Sequence, residues 1–127
     1  SVLDQTFEDF ELIIINDASP DNSETVILQI NDPRIRYHKC SVNLGLVGAL
    51  NKGIALASGK YIARMDQDDV SDENRFGSQY AFLENNPDHI LVGTQVMEMA
   101  TGKIMAYPTT DALVRAALLS VGFFPST

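Results

Sequence analysis

A single cysteine, Cys40, rules out an internal disulfide in this chain of 127 residues, and it points to a reducing, cytoplasmic setting. Histidine is almost as scarce. With only His38 and His89, a zinc site built from His and Cys is a poor prospect. Basic residues number 9 against 17 acidic ones, a formal net charge of −8, so no cationic surface is available for a nucleic-acid backbone. No apolar run is long enough to cross a bilayer, and no basic, apolar signal segment opens the chain. Low-complexity tracts and internal repeats are missing too. An initiator Met is absent: Ser1 reads as the tail of a helix and Gly122-Phe123-Phe124-Pro125 as a lead into more protein, so a piece of a longer polypeptide is expected. What remains is ordinary globular material, 45% apolar and 20% charged, enough for one domain around a single core.

The apolar pattern alternates between strand and helix. Residues 10–16 (Phe-Glu-Leu-Ile-Ile-Ile-Asn) form a β-branched run suited to a strand buried on both faces of a parallel sheet. Turn residues from Asp17 to Ser23 follow, then helical spacing through Val26, Ile27 and Ile30, a break at Asp32-Pro33, and a short strand over 35–38. Leu46, Val47, Leu50, Ile54 and Leu56 give the apolar face of a second helix, with Ser58-Gly59 as its end. Residues 60–65 read as a third strand. Ser71 or Asp72 is expected to cap a helix over about 73–85, closed by Pro87. Residues 90–99 and 103–107 flank Ala100-Thr101-Gly102 as a hairpin, and 111–120 read as a last helix. This order predicts an α/β fold: a mostly parallel, Rossmann-like sheet with helices on both faces and an added antiparallel hairpin.

Chemistry concentrates where the third expected strand ends, as Tyr61-Ile62-Ala63-Arg64-Met65 runs directly into Asp66-Gln67-Asp68-Asp69. Three carboxylates so close repel one another by roughly 4 kcal/mol per pair at intermediate dielectric. A divalent cation bridging to a phosphate would convert that repulsion into binding. Asp17 follows the first expected strand in the same way, so both acidic loops fall at strand C-termini, the edge where open α/β sheets bind ligands.

These residues also resemble a known family. Gln5-Thr6-Phe7, Leu12 to Asp21, Asn43-Leu44-Gly45, Ala49, Asn51, Gly53, Ala57 and Gly59 to Asp69 are similar to family 2 glycosyltransferases of the GT-A fold. The likeness continues through Arg75, Gln79, Phe82 to Pro87 and Val92-Gly93, and so covers nearly the whole chain in order. The resemblance implies inverting transfer of a sugar from a nucleotide-diphosphate donor, usually a UDP-sugar, to a hydroxyl of a carbohydrate or lipid-linked acceptor, in making polysaccharide, lipopolysaccharide or glycoprotein. It implies that Asp17 contacts the nucleobase, that Asp66 lies by the ribose and that Asp68 binds Mn²⁺ or Mg²⁺. Asn43 and Gly45 join the substrate-binding set on the same ground, residues 1–127 being the donor-binding part of one GT-A domain incomplete at both ends.

Departures from the family pattern bear on the acceptor side. The first apolar strand and the Pro-X-Tyr-Asn-like loop are missing, Glu73 stands where a Pro is common, and Phe124-Pro125-Ser126 replaces His-Pro-Ser. The general base, usually one of an acidic pair, is expected beyond residue 127, so no catalytic residue is assigned within the chain. A missing sheet strand would leave an apolar edge, which suggests a homo-oligomer that covers it. Plainer readings stand beside these. The acidic cluster could be a solvated turn, Asp17 and Asn43 could serve as turn residues, and Gly45 could admit close backbone approach. Arg64 could pair with a neighbouring carboxylate or reach a phosphate. Lys52 and Lys60 read as surface charges, Cys40 as a small core residue, and Met65, Met97, Met99 and Met105 as core packing. A non-catalytic nucleotide- or metal-binding module of the same fold is the alternative function.

Overall fold

A computed structural model describes residues 1–105, 107, 109 and 110. The chain forms two compact units, Ser1–Pro87 and Asp88–Thr127. The first unit is built on a parallel pair: β1 (Leu12–Asn16) and β2 (Ile35–Lys39) run in register from Leu12 opposite Ile35 to Asn16 opposite Lys39. Between them lies α1 (Ser23–Leu28), the crossover that a parallel pair requires. Next comes α2 (Gly45–Leu56), which packs on β1; a methyl group added at Gly53 would sit 3.7 Å from Ile15 Cγ1. The unit ends with α3 (Arg75–Asn85). In the second unit, β3 (Val96–Met97) and β4 (Ile104–Met105) form an antiparallel hairpin of their own. Its turn depends on Gly102, at φ 68°, whose N–H donates to Glu98 O at 2.8 Å.

The expected α/β class is what the chain adopts, with a parallel strand–helix–strand unit, helices and a separate antiparallel pair. Residues 60–65 depart from expectation: they carry no ladder and run as irregular chain. The side chains of Lys60 and Tyr61 turn to α3 instead. Lys60 and Tyr61 both bind Glu84, the Tyr61 hydroxyl donating at 2.7 Å, and the Tyr61 and Tyr80 rings meet edge-on at 5.9 Å. An apolar run reports the wish for burial, whereas a strand also needs a hydrogen-bonded neighbour that periodicity does not identify. The hairpin is shorter than read, and the helix expected over 111–120 lies outside the described residues.

The core among the described residues is thin. Cys40 is the one fully buried hydrophobic residue, and Leu12 to Ile15, expected to be buried on both faces, are only half-buried. Met97 and Met99 are exposed, against the reading of the methionines as core. Residues 1–10 do much of the remaining packing. Phe7 stacks on Tyr80 at 4.9 Å, Phe10 meets Phe76 edge-on at 5.4 Å, and Arg34 lies 4.6 Å over the Phe10 ring while its Nη2 donates to Leu3 O.

Candidate functional site

Asp17 leaves β1 through a turn that the sequence builds from its neighbours. Asn16, buried at 5% exposure, accepts from Ser19 N at 2.8 Å through Oδ1 and donates to the Tyr37 hydroxyl at 2.8 Å. Its carbonyl accepts from Cys40 N, which extends the β1–β2 pairing by one bond. This frame holds Ala18 at φ 58°, a left-handed conformation that costs a non-glycine residue about 1–2 kcal/mol. Such strain persists only where the surroundings impose it.

Asp17 and the Asn43 loop are latched together. Leu44 N donates to Asp17 Oδ1 at 2.8 Å, and Asn43 Nδ2 donates back to Asp17 O at 3.1 Å. Gly45 N donates to Asn43 Oδ1 at 3.0 Å. Three of the expected binding residues, Asp17, Asn43 and Gly45, thus form one hydrogen-bonded constellation from positions 17 and 43–45. The Asn43 amide is engaged at both ends within the protein, and Asp17 retains its second carboxylate oxygen. Gly45 has open space around it but φ of 70°, so the backbone conformation is what calls for glycine here. Beside this latch lies an open depression of about 400 Å³ lined by Ala18, Ser19, Lys39, Cys40 and Ser41, at the C-terminal ends of both parallel strands. Lys52, read as a surface charge, is half-buried with Nζ 3.4 Å from Cys40 Sγ.

The acidic loop is different in kind. Asp66 O accepts from Asp69 N at 3.3 Å, closing a turn over Gln67 and Asp68. Arg64 takes the first of its two expected roles: Nη2 donates to Asp66 Oδ1 at 2.6 Å. Asp68 is exposed, and among the described residues its carboxylate has no hydrogen-bond or ion-pair partner. Asp69 acts electrostatically on Arg75, whose pKa is lowered by burial and held up by that carboxylate. No three His, Cys, Asp or Glu side chains group as metal ligands among the described residues. Asp66 and Asp68 offer hard carboxylate oxygens, and Mg²⁺ or Mn²⁺ is commonly held by one or two such groups together with a ligand's phosphates rather than by a protein cage.

Behind the acidic loop stands a residue to which sequence reasoning gave no role. Gln5, 4% exposed, donates through Nε2 to Asp72 O at 2.6 Å, with Ser71 Oγ at 3.4 Å and Ser1 O at 3.3 Å. Its Oε1 accepts from Phe76 N at 2.9 Å. The cap expected from Ser71 or Asp72 therefore comes from elsewhere. Asn74, the residue before α3, makes no side-chain cap, Asp72 Oδ1 serves Asn74 N, and a glutamine 71 positions away satisfies a first-turn N–H of the helix. The signal was its place in Gln5-Thr6-Phe7, where the family resemblance begins, but nothing there named a partner.

Among the described residues no helix is long and apolar enough to cross a membrane. The family model described as "Glycosyl transferase family 2" matches residues 1–119. An uncharacterized glycosyltransferase of Haemophilus influenzae is 37% identical over 105 residues, covering 81% of this chain and 32% of its own length. Another from Rickettsia bellii is 47% identical over 88 residues, 68% of this chain and 12% of its own length. The Escherichia coli UDP-Glc:alpha-D-GlcNAc-diphosphoundecaprenol beta-1,3-glucosyltransferase WfgD is 33% identical over 93 residues, 73% of this chain and 37% of its own length. The chain thus spans about a third or less of the length of the first two of these relatives.

Proposed function

The chain belongs to glycosyl transferase family 2, and on that premise we propose that it is the donor-binding part of an inverting, metal-dependent transferase that uses a UDP-sugar. In this reading the Asp17 turn receives the uracil, with the free oxygen of Asp17 accepting from a base N–H above the depression lined by Ala18, Ser19 and Cys40. Asn43 and Leu44 hold that turn against the start of α2, Gly45 N fixes the Asn43 amide, and Asn43 and Gly45 join Asp17 in the donor-binding set. Asp66, oriented by Arg64, lies toward the ribose, and Asp68 holds Mn²⁺ or Mg²⁺. When bound, the cation neutralises the diphosphate and makes it a competent leaving group. An acceptor hydroxyl, deprotonated by a general base not assigned among these residues, would attack the anomeric carbon and invert it. The acceptor is a carbohydrate or a lipid-linked sugar of polysaccharide or lipopolysaccharide synthesis; the E. coli relative is named for a diphosphoundecaprenol-linked acceptor. In the same reading the protein works in the cytoplasm, free or peripheral to the membrane.

The observation that carries this reading is the uncommitted carboxylate of Asp68 on an exposed turn, in a chain whose family match spans residues 1–119. A carboxylate fixed in a structural ion pair would have to break it before binding a cation; among the described residues Asp68 has none to break. Calorimetry of UDP binding with and without Mn²⁺ tests it. Asp68→Ala should abolish the metal-dependent part with the circular dichroism spectrum unchanged. Equal UDP affinity in that variant and the parent chain would defeat the proposal.

A further inference from the structure

We infer that Gln5 is a positioning residue for the acidic loop: its buried amide fixes the segment between Asp69 and α3, and so sets where Asp66 and Asp68 stand. The inference rests on the proposed donor site and adds to it a residue that touches neither nucleotide nor metal. Four observations converge. Gln5 is one of only two buried polar residues among those described, the other being Asn16, which builds the Asp17 turn. Its amide works in both directions across one junction, donating to Asp72 O and accepting from Phe76 N, so it grips the loop exit and the helix start together. The next residue repeats the grip: Thr6 N donates to Glu73 O at 2.9 Å, and Thr6 Oγ1 lies 3.1 Å from the same carbonyl. Finally, the junction is wired to the acidic loop itself. Arg75 Nε donates to Ser71 Oγ at 2.7 Å and its Nη1 reaches Arg64 O at 3.5 Å, while Arg64 holds Asp66.

The acidic loop has no ladder to shape it, since residues 60–65 form no strand. Its conformation depends on what anchors its ends, and on the C-terminal side Gln5 is the buried member of an anchor that also includes Ser1, Thr6 and Arg75. Outer-shell partners of metal ligands typically change metal affinity by about 10- to 100-fold when removed. Gln5 acts at a greater remove, through the main chain of residues 71–76, and the lower end of that range is expected.

The test compares two ligands on the same variants. Gln5→Leu removes both hydrogen-bonding functions at similar volume; Gln5→Glu keeps an acceptor for Phe76 N and loses the donor to Asp72 O. UDP affinity in the presence of Mn²⁺, and the affinity for Mn²⁺ itself by electron paramagnetic resonance in the presence of UDP, should fall about tenfold in both variants. Affinity for uridine without metal, which reads the Asp17 turn, should stay within twofold of the parent chain. Parallel loss of uridine and UDP binding would reduce Gln5 to a general stabiliser and overturn the inference, as would unchanged Mn²⁺ affinity. Should Gln5→Leu fail to fold, the isosteric Gln5→Glu decides alone. Failure of the parent chain to bind UDP in a Mn²⁺-dependent way would defeat the proposed function itself, and the positioning role with it; Mn²⁺-dependent binding by the parent with no change in the variants defeats only the latter.

Discussion

Asp17 and Asp68 are both aspartates on loops of the first unit, yet one is built into the fold and the other is left out of it. Asp17 accepts from Leu44 N through its side chain and from Asn43 through its carbonyl, and it follows a buried Asn16 that spends both amide functions on the turn. Asp68 has no partner among the described residues, and the chain that leads to it lacks a ladder. Under the proposed function, the difference would divide labour between the two loops. A base-reading group gains from being preorganised, because a neutral heterocycle offers few bonds with which to order a loop. A metal-holding group can stay free, because the cation and diphosphate bring strong charges of their own.

The sharpest way to break this comparison is to exchange the consequences. Asp68→Ala should lower Mn²⁺-dependent UDP affinity by at least about 100-fold, since even outer-shell partners cost 10- to 100-fold, and should leave the thermal midpoint where it was. Titration calorimetry and a melting curve on one preparation check both halves. Asp17→Ala should do two things at once: weaken uridine binding, and destabilise the fold by about 1.5–3 kcal/mol through loss of a charge-assisted bond to Leu44 N. A denaturant midpoint unchanged from the parent would show that the latch is ornamental. Gly45→Ala probes the same latch without touching its polar groups. With open space around it but φ of 70°, the substitution should cost about 1–2 kcal/mol by backbone strain alone.

Acid gives the smallest effect and acts on the scaffold rather than on either loop. Glu11 accepts from Ser58 N and Oγ and pairs with Arg36, and these bonds hold its pKa down to about 2. Asp32 is held down to about 2 by the Arg34 side chain and backbone N–H. Both carboxyls lie below their unfolded values, so their contribution is complete above about pH 4.5 and is lost as pH falls toward 2. Glu11→Gln should flatten stability against pH across that window, and identical profiles for variant and parent would contradict the assignment. High salt should shrink the difference only in part, because both side chains are largely shielded from water.

Local chemistry was legible in the sequence and long-range chemistry was not. The turn after β1, the Asn43-Leu44-Gly45 loop and the acidic run stand out because each is a short polar signal after an apolar one, and the bounds of α2 follow from its apolar face and its Ser58-Gly59 end. The pairing of Arg64 with Asp66 was one of two open readings and is the one realised. The role of Gln5 was opaque for a physical reason: apart from Ser1, its partners lie 66 to 71 positions away, and the family resemblance at Gln5-Thr6-Phe7 does not name them. The strand expected over 60–65 failed on the same ground, since apolar content is local and a ladder partner is not. Exposed Met97 and Met99 repeat the lesson.

A crystal structure of the chain with UDP and Mn²⁺ tests the central claim most directly. The account expects one nucleotide with its uracil against the Asp17 turn, over Ala18 and Cys40, and the cation on Asp68. Uracil bound away from Asp17, or a cation seated on carboxylates other than Asp68, would contradict it.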